Sequence, residues 1–144
     1  MILLDATAVV AALVGEPAAR EVERLLKEEQ VAIVSVNLAE SIDILVRVFG
    51  NELNEVESRL VPLLATALLV LPVGESEARR GAELRIDHYH RRNTPLSLSD
   101  CILLGTALVS GAAVATSDGP IARTGDAVGV EVLRLKDSDG LRPT

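Results

Sequence analysis

The stretch Leu96 to Asp118, LSLSDCILLGTALVSGAAVATSD, changes period partway along and so decides the fold class. Ser99 to Ser110 carries apolar residues at helical spacing, and Asp100 follows Ser97 at the three-residue offset of a capping box. Ala113 to Ala115 is then a short apolar run of strand length, ended by Asp118. Outward from there the same alternation recurs. Strands are predicted near Ile2–Leu4, Ala32–Val34, Leu69–Leu71, Ala113–Ala115 and Val130–Leu133, and helices near Ala8–Val14, Ala18–Glu29, Leu38–Phe49, Glu52–Ala65, Ser76–Arg91 and Ser99–Ser110. Gly15-Glu16-Pro17, Gly50-Asn51 and Asn93-Thr94-Pro95 separate the helices. The pattern predicts an α/β domain with a central parallel sheet of about five short strands flanked by helices on both faces. That domain spans residues 1–135, and residues 136–144, which lack periodicity, read as a C-terminal extension or partner-contact arm.

Four acids stand where apolar runs give way to turns or helix starts: Asp5 after Ile2–Leu4, Glu40 after Val31–Val34, Asp100 at the start of the Ser99–Ser110 helix, and Asp118 after Ala113–Thr116. Parallel strands ending side by side would bring all four to one edge of the sheet. Each also has a local explanation. Asp5 can cap the following helix, Glu40 and Asp100 lie three residues after Asn37 and Ser97 as in capping boxes, and Asp118 precedes the turn-forming Gly119-Pro120. Local capping does not account for their joint placement on one edge. Carboxylates gathered there repel one another, so without a cation at least one has a raised pKa, and Asp5→Asn or Asp100→Asn is expected to stabilise the metal-free chain. A hard divalent ion, Mg²⁺ or Mn²⁺, relieves the repulsion and leaves positions for a phosphate oxygen and a water, which suits phosphodiester hydrolysis.

The composition narrows the remaining possibilities. The chain has 144 residues, 49% of them hydrophobic, enough for one core. Mean hydropathy is +0.33, yet the apolar stretches are broken well before the roughly 18 residues that span a bilayer, so no membrane partner is expected. The acid at position 5 interrupts the first apolar run, which argues against a secretory leader, and the single Cys101 allows no internal disulfide. A cytoplasmic location is the expectation. Cys101 reads as a small buried hydrophobe. The net charge of −7 disfavours nucleic acid at first sight, and the 1% aromatic content, Phe49 and Tyr89, disfavours gripping bases by stacking.

The segments from Leu4 to Leu13, from Ser35 to Glu40 and from Leu96 to Asp118 resemble PIN-domain ribonucleases, and more closely the VapC toxins of toxin–antitoxin pairs. The resemblance extends from Ile2 to about Leu133. It implies a single PIN-like domain acting as a metal-dependent endoribonuclease, the toxin of a type II pair held inactive by a cognate antitoxin that places an Arg or Lys against the acidic pocket. It also implies a homodimer, and Asp5, Glu40, Asp100 and Asp118 as the metal-site and catalytic acids, with Thr7 and Thr116 as hydroxyl neighbours. Some members of the family carry a further acid shortly after the fourth. Here that neighbourhood is Gly119-Pro120-Ile121, with Asp126 as the candidate replacement.

His88 and His90, two residues apart on the predicted helix, point to different sides and do not share an ion. They extend a basic face with Arg79, Arg80, Arg85, Arg91 and Arg92, which reads either as an RNA-backbone contact, with Arg91 and Arg92 binding substrate, or as a solvated surface. Asp43, four residues before Arg47, reads as half of a helical ion pair. Two other functions stay open. A haloacid dehalogenase-type phosphatase would want Asp at position 7, where Thr7 stands, and a downstream lysine, for which neither Lys27 nor Lys136 is well placed. A non-catalytic module binding basic peptides in the acidic pocket is the second.

Overall fold

The computed structural model describes residues 1–144. Five parallel strands, β1 (Ile2–Leu4), β2 (Val31–Val34), β3 (Leu68–Leu71), β4 (Ala113–Thr116) and β5 (Val132–Arg134), form one sheet in the order β3-β2-β1-β4-β5. Seven α-helices surround it: α1 (Ala6–Val14), α2 (Ala19–Glu28), α3 (Ser35–Asp43), α4 (Leu53–Thr66), α5 (Glu75–His88), α6 (Leu98–Ser110) and α7 (Gly119–Val128). A π-helical turn, Ile44–Val48, continues α3.

The two-residue period of the strands divides the core between the two faces of the sheet. Ile2, Leu4, Val31, Ile33, Ala113 and Ala115 pack on one side with Val9, Val22, Val56 and Leu60 from α1, α2 and α4. Leu3, Ala32, Val34 and Val114 pack on the other with Leu84, Leu103, Leu104 and Ile121 from α5, α6 and α7. Both faces of β1, β2 and β4 are therefore buried, which is why these strands read as continuous apolar runs rather than alternating ones. No helix is long and apolar enough to cross a membrane.

Four elements differ from the sequence expectation. The chain from Gly119 to Val128 is helical, where the sequence offers only turns at Gly119-Pro120 and Gly125-Asp126. Asp118 caps that helix, Pro120 sits in its first turn where a missing N–H costs nothing, and a side chain at Gly125 would meet Val132 Cγ2 at 2.6 Å, so the glycine permits close helix–strand packing. β5 is displaced to Val132–Arg134 as a result. α3 begins at Ser35 rather than Leu38, so Asn37 lies inside the helix and is not its cap, and Glu40 is in the second turn. α5 ends at His88, and His90, Arg91 and Arg92 lie in a turn closed by a bridge between His90 and Thr94.

The segment after β5 folds back on the domain. Arg142 forms an ion pair with Glu21 of α2 at 2.8 Å, and Asp137 Oδ1 accepts hydrogen bonds from the backbone N–H groups of Asp139 and Leu141.

Helices α5 and α6 approach closely through two glycines. A methyl group at Gly105 would stand 2.7 Å from the Gly81 nitrogen and 3.0 Å from the Glu77 carbonyl oxygen, both main-chain atoms that cannot step aside. Gly105→Ala is therefore expected to cost about 1–3 kcal/mol, as overpacking does, despite the better helix propensity of alanine. Thermal unfolding should show a melting temperature lower by roughly 2–4 °C per kcal/mol. An unchanged or raised value would mean the two helices are not held this close.

Candidate functional site

From β1 the chain passes through α1 and α2 to β2 on one side of the sheet, while β4 enters on the other side of β1. The order thus reverses between β1 and β4, and a crevice opens at their carboxyl ends, the place where open α/β sheets bind ligands. Asp5 follows β1 directly and Asp118 follows β4 by two residues. α3, after β2, contributes Glu40, and the start of α6, which leads into β4, contributes Asp100.

Three of the acids are tied to helix N-termini. Asp5 Oδ1 accepts the Ala8 N–H at 2.7 Å, Asp118 Oδ1 accepts the Ile121 N–H at 2.9 Å, and Asp100 Oδ2 accepts the Ser97 N–H at 2.7 Å in a complete capping box. Capping is compatible with a site at this edge, because the caps themselves orient the carboxylates. Glu40 is held by a different contact, the Ser99 hydroxyl donating to Oε2 at 2.7 Å.

Asp5 is buried, and its Oδ2 accepts two hydroxyls, Thr116 Oγ1 at 2.5 Å and Thr7 Oγ1 at 2.8 Å. Thr116 Oγ1 in turn accepts the Asp118 N–H at 2.9 Å, so one buried hydroxyl joins the ends of β1 and β4. Thr7 and Ser117 share a hydrogen bond at 3.1 Å. The serines of the edge, Ser97, Ser99 and Ser117, are absent from the residues that sequence reasoning places at the site. Serine beside a helix start is so common that only the fold distinguishes these three.

Burial pushes the Asp5 carboxyl up to about 6 against the hydrogen bonds that favour its ion, and the Asp100 charge adds to the rise. Burial also raises Glu40, with Asp100 and Asp118 contributing, and raises Asp118, with Asp100 again contributing and Arg123 opposing. Asp100 is thus the charge that the other three acids all feel. As they stand, no three His, Cys, Asp or Glu side chains form a group that could hold a metal ion. The donor chemistry nonetheless suits a hard cation: all oxygen, mutually repelling, and in Glu40, Asp100 and Asp118 one carboxylate oxygen tied to the fold with the other left over for a ligand.

The structure also places the remaining sequence candidates. Asp126 pairs with Arg134 and does not join the four acids. Arg79 and Arg80 pair with Glu75 and Glu83 on α5 itself. Arg85 reaches the Leu96 carbonyl and lies 4.3 Å over the Tyr89 ring. The expected continuous basic face therefore breaks up, leaving His90, Arg91 and Arg92 around an open depression of about 480 Å³. Asp43 and Arg47 form the anticipated pair at 2.8 Å. Cys101 is fully buried and burial raises its thiol, as befits a core residue. Asn37, one helical turn before Glu40, is fully buried with neither side-chain polar atom hydrogen-bonded. A groove of about 240 Å³ adjoins the acid edge, where Thr7, Ser117 and Asp118 meet Val10, Ile44 and Phe49.

The family model for the PIN domain matches residues 2–127. No curated protein matches the sequence. Among solved structures, FitAcB from Neisseria gonorrhoeae is 25% identical, with 98% of this chain and 100% of that chain covered at a TM-score of 0.67. VapC20 from Mycobacterium tuberculosis, a sarcin–ricin loop cleaving toxin, is 18% identical, with 87% and 95% covered at 0.69. VapBC2 from Rickettsia felis, bound to a DNA fragment from its promoter, is 20% identical, with 92% and 98% covered at 0.68.

The raised Asp5 carboxyl links stability to pH. Between 3.8 and about 6 the folded chain holds a proton that the unfolded chain has released. The stabilisation from this group is therefore complete below 3.8 and lost as pH rises through about 6, on the order of 3 kcal/mol in all. Glu40 and Asp118 act in the same sense. Chelator-treated protein should melt higher at pH 5 than at pH 7.5, and Asp100→Asn should shrink that difference by removing the shared repulsion. Asp5→Asn is the poorer probe, contrary to the sequence expectation: an amide cannot accept both hydroxyls and still accept the Ala8 N–H without placing a donor against a donor. A melting temperature indifferent to pH across this range in both proteins would rule out the electrostatic account.

Proposed function

The chain belongs to the PIN-domain family of nucleases, and we propose that it is a metal-dependent endoribonuclease, the VapC-type toxin of a toxin–antitoxin pair. The observation that supports this reading is geometric: Asp5, Glu40, Asp100 and Asp118, from four different elements, meet at the sheet's carboxyl edge, near enough that the Asp100 charge adds to the rise that burial gives the other three. A chain that needed these acids only as caps would have no reason to face them toward one another.

In this reading Asp5, Glu40, Asp100 and Asp118 hold Mg²⁺ or Mn²⁺. An ion held there would supply Lewis acidity toward a phosphate oxygen and a water. The chain's own residues prepare the place. Thr116 and Thr7 fix Asp5 through Oδ2, Ser99 fixes Glu40, and the caps fix Asp100 and Asp118, so each carboxylate starts from a defined position, from which the four draw closer to share an ion. No side chain is required as a covalent nucleophile. Arg91 and Arg92, unpaired with any acid, are the residues best suited to bind RNA phosphates outside the acid edge. A similar solved structure is a toxin–antitoxin complex from Klebsiella pneumoniae, and by that likeness a cognate antitoxin is the expected partner here, with a basic side chain competing for the same carboxylates.

The deciding experiment incubates the purified chain, free of antitoxin, with total RNA and Mg²⁺ or Mn²⁺ and maps the cut ends. Cleavage leaving 5′-phosphate and 3′-hydroxyl ends is expected, and Asp100→Asn should lower it on the order of 100-fold or more while the protein stays folded. Wild-type rates in that variant would remove the acids from the reaction. Arg91→Ala with Arg92→Ala should weaken RNA binding and flatten its salt dependence by about 0.7 per lost phosphate contact on a single strand, leaving calorimetric Mn²⁺ affinity unchanged. An unaltered slope would return this turn to an ordinary solvated surface.

A further inference from the structure

Phe49 is the chain's single phenylalanine, and it stands half exposed, at 46% of its full surface, at the end of the π-helical turn. The turn decides where it goes. Its N–H bonds to the carbonyl of Ile44, five residues back, at 3.1 Å, so Phe49 rather than Val48 follows Ile44 onto the same side. Gly50, with φ of 72°, then ends the segment, and Asn51 Nδ2 donates to the Leu45 carbonyl at 3.0 Å. In an uninterrupted α-helix the residue above Ile44 would be Val48, which here is 64% exposed and does not line the groove. The extra residue in the turn therefore places an aromatic ring, not a valine, beside Thr7, Ser117 and Asp118.

The groove shared by these residues has a particular chemistry. Besides Phe49, Ile44 and Val10 it is lined by the acids Glu16, Asp118 and Asp137 and by the hydroxyl residues Thr7, Ser117 and Ser138. Such a lining repels phosphate and accepts something flat, neutral and partly apolar. Tyr89, the other aromatic residue, carries Arg85 4.3 Å over its ring and does not line this groove, so Phe49 is the aromatic residue at the acid edge. We infer that Phe49 is a stacking platform for one base of a single-stranded RNA, adjacent to the phosphate held at the acid edge. The inference rests on the ribonuclease reading. It reverses the expectation from composition alone that a chain this poor in aromatics does not grip bases: one ring suffices when it stands next to the site. In a protein of net charge −7, a neutral contact also gives affinity that backbone electrostatics cannot.

The test measures binding of a fluorescently labelled single-stranded RNA, chosen from the wild-type cleavage sites, by anisotropy in the Asp100→Asn background with Mg²⁺ present. Adding Phe49→Leu should weaken binding about tenfold, within the range for one base–aromatic stack, with the slope of affinity against salt unchanged because no phosphate contact is lost. Phe49→Trp should bind as well as phenylalanine. The chain contains no other tryptophan, so the indole emission reports directly, and it should be quenched by the intact RNA. An RNA carrying an abasic nucleotide beside the scissile bond should bind equally with and without the Phe49→Leu substitution, and should leave the indole of the Phe49→Trp protein unquenched. If wild type cuts RNA but Phe49→Leu binds the intact strand as tightly as before, the inference falls and the ribonuclease reading stands. If wild type neither cuts nor binds RNA with either ion, both fall.

Discussion

Burial of carboxylates, sharpened by their mutual repulsion, at the carboxyl edge of the sheet is the constraint on which the rest of this structure depends. Asp5 is buried, and Glu40, Asp100 and Asp118 are partly so. Bringing four acids together in partial burial is unfavourable unless hydrogen bonds and helix termini favour their ions. The fold supplies both. Three helices begin at the edge with an acid accepting one of their free N–H groups, and the Thr116 hydroxyl joins Asp5 to the Asp118 backbone. The balance is incomplete, since Asp5, Glu40 and Asp118 all remain above their ordinary values. That residual cost makes the edge receptive to positive charge, whether a divalent ion or a basic side chain.

Where a signal lies in local sequence, it is legible. β1, β2 and β4, buried on both faces, announce themselves as unbroken apolar runs, and the Ser97–Asp100 capping box marks the start of α6. Asp5 at a strand-to-helix transition, Asp100 at a helix start and Asp118 at a strand end all stand at boundaries that the sequence itself displays. Other features are hidden because their causes are tertiary. α7 has turn-like glycines at both Gly119 and Gly125, and the second is required by Val132, a residue from the strand packed against it. Ser99 gains its role only when α6 meets α3, fifty-nine residues away in sequence. The continuous basic face expected on α5 fails because Glu75 and Glu83 neutralise Arg79 and Arg80, and because the helix ends at His88, before Arg91 and Arg92.

The acidity of the chain therefore says less about its ligand than it first suggests. Much of the negative charge sits on solvated helical faces, such as that of Glu23, or in local pairs with arginine, and contributes no directed field. What is directed is the edge, which calls for a cation before it can face a phosphate. Arg91 and Arg92 lie apart from the acids in the turn after α5. Separating the two keeps the arginines from neutralising the carboxylates within the protein, as Arg134 neutralises Asp126.

Departures from local rules gather on one element. α3 has no side-chain cap, buries Asn37 with both polar atoms unpaired, holds the acid Glu40 one turn later, and widens into a π-helical turn before Phe49. Each costs stability: an unpaired buried amide group is worth about 1–3 kcal/mol, and a π-helical turn is rare outside functional sites. Ser41, one turn after Asn37 on the same face, bonds back to the Asn37 carbonyl at 2.8 Å, and Leu45 is buried in the core. These departures run from Asn37 to Phe49, the stretch that brings Glu40 to Ser99 and Ile44 and Phe49 to the groove, so local stability is given up where α3 meets the acid edge.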